Sequence, residues 1–310
     1  MRLPVILNLL LCTFLSFSSY AQYTDVINSN RPGASKSAYS VGTNVLQFEL
    51  GGRSVSEKHS LLQEDVSGFA VNFAARFGLF WEQLEINLDL DYQNDRKTIN
   101  STSIPQEGNR ANFRYFTLGA NYLIYDPYKS RDDEKPNLKS YHANNRFQWS
   151  WLIPAVSIYA GANYDAPDSP YTPPLVEGFS PKVRLATQHN FFNGWVYVMN
   201  FSYDRIGSDD PEFQYILTLT KAINQQWVVF GEIQGINSDF YADNLFRFGG
   251  AYLWNKNFQL DTNITFNAKD TPSVFNFSLG ASYRFDFHDD TKAIEKATRE
   301  ALEEEKENSN

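Results

Sequence analysis

The chain has 310 residues, enough for one or two globular domains, but its composition points away from an ordinary soluble one. Phe, Tyr and Trp make up 16% of it, Met occurs twice and mean hydropathy is −0.43, so no run beyond the first residues can form a membrane-crossing helix. A net charge of −9 excludes a phosphate-binding surface, which needs clustered Lys and Arg, and no nucleic-acid partner is expected.

The chain opens on an export signal. Arg2 supplies the positive start, Leu3 to Phe17 is an apolar run, and Ser19-Tyr20-Ala21 places small residues where a signal peptidase cuts. Residues 1–21 are read as the signal peptide, with cleavage before Gln22. Cys12 is the only cysteine and lies inside it; Leu11 before it argues against a lipidated cysteine. The mature chain then has no thiol and no disulfide.

Residues 22–42 are polar and carry Asn30-Arg31-Pro32-Gly33. Two readings stand for this segment: a plug folded into a lumen, with Arg31 meeting Glu85, Asp89 and Asp91, or a loose periplasmic leader.

Period two dominates from there on. Leu84, Ile86, Leu88, Leu90 and Tyr92 fall on one face, and Glu85, Asn87, Asp89, Asp91 and Gln93 on the other, a separation that a strand makes and a helix cannot. The same alternation fills Phe258–Asn267 and Phe275–Phe285. The pattern predicts strands over 43–56, 66–80, 84–98, 109–126, 146–165, 180–192, 195–206, 213–223, 227–238, 244–255, 257–268 and 274–287. A soluble sandwich is the competing reading, but its strands usually run about five or six residues. These run about ten or more, the length a tilted strand needs to cross a bilayer. The predicted fold is therefore all-β: an antiparallel transmembrane barrel of about twelve strands over 43–288.

Connection lengths alternate between tight turns and longer polar loops. Trp81-Glu82-Gln83, Asn193-Gly194, Asn224-Gln225-Gln226 and Asn255-Lys256-Asn257 are short, and Asn-Gly is a strong hairpin signal. Asp95–Gly108 and Ala166–Gly178 are longer and read as an outer vestibule. Asp126 to Asn145 breaks the rule, being long on the short-turn side. Its Asp132-Asp133-Glu134 run reads as solvated rather than as a calcium site. Trp81, Tyr125, Tyr128, Phe147, Trp149, Trp151, Trp195, Trp227 and Trp254 gather near strand ends, where amphipathic rings favour the headgroup zone. Residues 289–310 place Ala293, Ile294, Ala297, Ala301 and Leu302 among charges at helical spacing, which predicts a periplasmic helical tail, a solvated face or a contact for a periplasmic protein.

Parity assigns Glu49, Arg53, Arg76, Glu85, Asp89, Asp91, Lys182, Arg184, Glu232, Asp261, Lys269 and Arg284 to the lumen, because charge is costly against lipid. They either pair and close the bore or line a hydrated path. No catalytic or metal constellation is present: His59, His142, His189 and His288 are scattered, and His189-Asn190-Phe191 lacks the serine of an outer-membrane phospholipase pair. No enzyme activity and no cofactor are expected.

Several stretches resemble the phenol meta-degradation pathway family of outer-membrane transporters. They are Asn30-Arg31-Pro32, Val45-Leu46-Gln47-Phe48-Glu49-Leu50-Gly51, Lys269-Asp270-Thr271-Pro272-Ser273 and Gly280-Ala281-Ser282-Tyr283-Arg284-Phe285-Asp286. Members often read Asp-Arg-Pro in the first motif; Asn30 replaces the acid here. The resemblance implies a twelve-strand barrel in outer-membrane lipid that carries small solutes, among them hydrophobic or aromatic compounds. Three functions follow in order: a passive channel, a closed structural or adhesion barrel binding protein through its loops or tail, and a lipid-modifying enzyme.

Overall fold

The computed structural model describes residues 26–127 and 152–287. Twelve antiparallel strands follow one another: β1 (Val45–His59), β2 (Glu64–Gly78), β3 (Leu84–Ile99), β4 (Gln106–Tyr125), β5 (Ala155–Asp165), β6 (Gly178–Phe191), β7 (Trp195–Asp204), β8 (Glu212–Ala222), β9 (Trp227–Asn237), β10 (Ala242–Asn255), β11 (Phe258–Asn267) and β12 (Ser273–Asp286). Each pairs with its sequence neighbours, and β1 pairs with β12 from Val45–Asp286 to Lys58–Ser273, so the sheet closes on itself. Even β7, at 10 residues, spans about 33 Å along its axis, enough to cross an apolar band of about 25 Å at a tilt.

The faces are inverted relative to a soluble protein. Along β3, Glu85, Asn87, Asp91, Gln93 and Asp95 are buried, while Ile86 and Tyr92 are exposed. Across the barrel the largest fully buried side chains include Arg76, Arg284, Glu85, Glu232 and Asp91, whereas Leu118, Leu279, Ile158, Val229 and Phe277 face outward. A sandwich in water would bury the second set and expose the first. Only a lipid surround makes this partition favourable, and the sandwich reading falls on it.

Outward rings gather towards both rims. At the end carrying the termini, Trp227 meets Tyr252 in a tilted pair at 4.7 Å and Tyr252 meets Trp254 at 6.1 Å; Trp81, Tyr125 and Trp195 are exposed there too. At the opposite end Tyr92 meets Phe113 at 5.4 Å and Tyr164 meets Phe179 at 5.0 Å. Tyr128, Phe147, Trp149 and Trp151 lie outside the described residues.

Strand boundaries agree with the alternation except at β5, which starts at Ala155 instead of residue 146. Pro154 has no N–H to give to the ladder, so pairing stops there; residues 146–151 are outside the description. At the β6–β7 turn Asn193 and Gly194 both take positive φ, 62° and 72°, the backbone that a tight hairpin requires and that Asn-Gly favours. The expected signal peptide, the rest of the long 126–145 connection with its acidic run, and the expected helical tail fall outside the described residues.

Replacing Leu118 by Arg should cost about 2–4 kcal/mol when the barrel is unfolded with urea from lipid vesicles, as a charge facing lipid does. Ser101→Arg, in the connection after β3, should stay within about 0.5 kcal/mol of the parent. Equal losses at the two positions would place Leu118 in water.

Candidate functional site: a hairpin inside the bore

Residues 26–44 contain no strand, and their hydrogen bonds go to the inner wall. The chain enters at the terminal rim, where the Ile27 amide donates to the Lys256 carbonyl at 2.8 Å. It goes inward past Ser29, whose Oγ lies 2.7 Å from Ser282 Oγ, and Asn30, whose amide donates to Glu49 at 3.1 Å. It turns at Gly33 and returns through Lys36 to Val41, whose amide donates to Glu85 at 2.9 Å. Its wall partners sit on β1, β2, β3, β6, β7, β9, β11 and β12, so the hairpin reaches across the bore.

Three polar anchors hold it. Arg31 Nη2 and Nε donate to Asp261 at 2.9 and 3.1 Å, and Nη1 donates to Asn72 Oδ1 at 2.8 Å. Its seat exists because Gly51 and Gly280 are register partners on β1 and β12; a Cβ on either would stand 2.2 Å from the guanidinium. At the tip, the amides of Ala34 and Ser35 donate to the Glu232 carboxylate at 3.0 and 3.1 Å, which also accepts from Arg247 at 2.8 Å and Thr218 at 2.7 Å. Gly33 lets the backbone come this close, since a Cβ there would lie 2.6 Å from Glu232 Oε2. On the return arm Lys36 donates to Asp89 at 2.6 Å.

Arg76 braces the two arms. It pairs with Glu85 at 2.9 Å and donates to the carbonyls of Asn28 at 2.6 Å and Tyr39 at 3.1 Å, one on each arm. Asn30 Oδ1 accepts the Ser37 amide at 2.8 Å across the hairpin.

Glu49, Arg53, Arg76, Glu85, Asp89, Asp91, Lys182, Arg184, Glu232, Asp261 and Arg284 all stand on inward positions of the strands. Two expectations are corrected. Arg31 meets Asp261, because Glu85, Asp89 and Asp91 are held by Arg76, Lys36 and Arg53. Lys269 lies in the connection after β11, which ends at Asn267; its amine bonds the Ala242 carbonyl and sits 3.7 Å from Asp243, at the rim.

Other inward groups escaped the sequence reading. A bulge in β4 opposes Asp91 to Tyr115 and Tyr92 to Phe113, so Arg114 is inserted. Arg114 reaches Gln93 at 3.4 Å and Tyr115 shares the face of Asp91. The only local trace is the adjacent pair Tyr115-Phe116, which breaks alternation. Tyr115 is 41% exposed although it faces inward, and Arg53 and Lys182 keep some access. The lumen thus has a terminal half filled by the hairpin and a far half that solvent reaches at Tyr115, Arg53 and Lys182 but that is packed at Gln93, Asp95 and Asn163. Over that far half, the connection after β5 places Tyr171 under Arg110, 5.3 Å from ring to guanidinium, and burial followed by the bond and charge of Asp95 pushes the Tyr171 phenol up.

Among the described residues no cluster of His, Cys, Asp and Glu fits a metal ion. His59 ends β1, and His189 stacks on Phe191 at 5.6 Å with its Nε2 at the Leu152 carbonyl; His142 and His288 lie outside the described residues.

The profile of the family described as "Putative MetA-pathway of phenol degradation" matches residues 29–285. The chain belongs to that family. The match begins inside the hairpin and ends on β12, so it covers the hairpin tip and the wall that receives it. No curated protein matches the chain. Among solved structures, an outer membrane channel from Pseudomonas putida F1 shares 9% identity at a TM-score of 0.51, over 84% of this chain and 100% of that one. The translocator domain of the autotransporter NalP from Neisseria meningitidis gives 9% and 0.46, over 79% and 89%. The toluene transporter TodX of P. putida gives 10% and 0.42, over 80% and 91%. Identities this low speak to fold alone, and the first of the three establishes it as that of an outer-membrane barrel.

Arg31→Gln should destabilise the protein by about 3–5 kcal/mol in urea unfolding, because it strands the Asp261 carboxylate in a buried seat. Adding Asp261→Asn should recover much of that loss, since no unpaired charge then remains. A double variant no more stable than Arg31→Gln would show that the pair is not what holds the segment.

Proposed function

We propose that this member of the phenol-degradation family is a passive outer-membrane channel for small polar solutes, with the N-terminal hairpin as its plug. The observation that carries the reading is the divided lumen. Beyond the hairpin the bore is polar and charged and solvent reaches Tyr115, Arg53 and Lys182, while the terminal half is filled by chain that hydrogen bonds attach to the wall. With both barrel ends on one side, the terminal rim faces the periplasm and the connections after β3 and β5 face outside. Residues 1–21 then serve export, and 289–310 remain in the periplasm as a contact for a partner.

Water can replace every one of the hairpin's polar anchors, which suits a plug that leaves and returns better than a permanent core. The family description points to phenolic metabolism. The wall here is lined by Arg, Asp, Asn and Gln, so an aromatic solute would need a polar group of its own to be accepted. The second reading, a closed barrel that works through its loops, draws on the same hairpin, since buried pairs such as Arg76–Glu85 and Arg31–Asp261 also suit a static filling.

Single-channel recording of the refolded protein in planar bilayers separates the two. Deleting residues 27–40 should raise conductance several-fold, and Asp89→Asn with Asp91→Asn should shift ion selectivity towards anions. Silence from the deleted barrel, shown to be folded and inserted, would favour the closed scaffold.

A further inference from the structure

Beside the return arm of the hairpin, the wall carries polar groups that neither the plug nor the ion pairs use. At one height around the barrel, register links Glu85 on β3 to Asn121 on β4, Asn121 to Tyr159 on β5 and Tyr159 to Arg184 on β6. Glu85 is taken by Arg76 and by Val41. The next three are not satisfied. Both side-chain atoms of Asn121, the Tyr159 hydroxyl and Arg184 Nε are buried without a hydrogen-bond partner, and so are the neighbouring Asn87 Oδ1 and Ser157 Oγ.

Buried polar atoms are nearly always paired, and an orphan costs free energy, so six on adjacent strands mark a place built for something else. Arg184 is the decisive member. It is 8% exposed and, among the described residues, forms no ion pair; its guanidinium lies over the Tyr159 ring at 4.5 Å. That pose sets it over a side chain of β5, the strand between Arg184 and Asn121, and in electrostatic range of Asp89 and Glu85, each already held by its own cation. Arginine does not shed its proton, so the charge stays. Gly119 and Gly161 are register partners beneath the Tyr159 hydroxyl, and their lack of a Cβ lets the Tyr159 ring lie close against the wall, since a Cβ on Gly161 would stand 2.4 Å from that oxygen.

We infer that Asn121, Tyr159 and Arg184 form a binding site for a small carboxylate, seated between the wall and residues 36–41 of the hairpin. The guanidinium and the Asn121 amide donate to the carboxylate, with the Tyr159 hydroxyl as a further donor. The amide oxygens of Asn87 and Asn121 can accept from a hydroxyl on the same ligand, so a hydroxy acid fits better than its deoxy counterpart. The inference deepens the channel reading and rests on it to the extent that solute must reach the bore.

The test is equilibrium calorimetry on the refolded chain in detergent at low salt, with lactate as probe, propionate and lactamide as comparisons, and heat-modified gel mobility to confirm folding. Saturable lactate binding is expected, weaker for propionate and lost for lactamide. Arg184→Gln should weaken it by roughly tenfold or more, the worth of a charged hydrogen bond; Arg96→Gln, at an exposed pair, should leave it unchanged. If Arg184→Gln does not fold, Asn121→Ala is the variant to titrate, and a several-fold loss is expected. Lactate binding that is absent in the parent, or equal in the parent and in whichever folded variant is titrated, overturns the site. Because no current is measured, binding in a barrel that never conducts would sink the channel reading alone, and a conducting barrel indifferent to lactate would sink this site alone.

Discussion

The guanidinium of Arg31, set against Asp261 in a slot left by Gly51 and Gly280, fixes the rest of the arrangement. It pins the ingoing arm of the hairpin to the seam where β1 meets β12, the contact that closes the barrel. With that arm placed, Gly33 brings the tip to Glu232, Lys36 reaches Asp89, and Arg76 ties both arms together. A buried pair of this kind adds little over an apolar substitute, but it is severe on alternatives, since a misplaced hairpin would leave two charges without partners. Specificity of placement is what it supplies.

The interior is therefore held by geometry-dependent polar contacts, while the outer surface is held by lipid. These two requirements act on alternate residues of the same strand. Leu118 faces lipid and Thr117 beside it faces the bore, hydrogen bonded to Asn163. A polar interior of this kind can be vacated in a way a packed apolar core cannot, because water can solvate the groups that a departing hairpin uncovers. On the proposed reading, one chain then presents a rigid wall and a removable filling.

Much of the wall was legible in the sequence, because alternation is a local property. Leu84 to Gln93 reads as one strand with two faces, and Asn193-Gly194 as one turn, without reference to anything distant. What depended on register was not legible. The partner of Arg31 lies on β11, set by how the closing strands align, and no local signal near Asn30-Arg31-Pro32 singles out Asp261 over Asp89 or Asp91. Lys269 was given a lumenal face by parity although it already lay one residue beyond the predicted strand 257–268, and β11 ends at Asn267, where alternation no longer assigns a face. The insertion of Arg114 reverses parity over the first part of β4, and a bulge leaves only a doublet of adjacent rings, Tyr115-Phe116, as its trace.

The most direct test of the account is to fasten the hairpin where it lies. Ser29 and Ser282 face each other with their hydroxyl oxygens 2.7 Å apart, so Ser29→Cys with Ser282→Cys should close a disulfide, and the only native cysteine in the sequence is Cys12. Conductance of this double variant would be recorded oxidised and then after a reductant is added. The account predicts a nearly silent oxidised barrel and openings that return on reduction. Equal conductance in both states, with the cross-link verified by mobility, would mean that the hairpin does not control the bore.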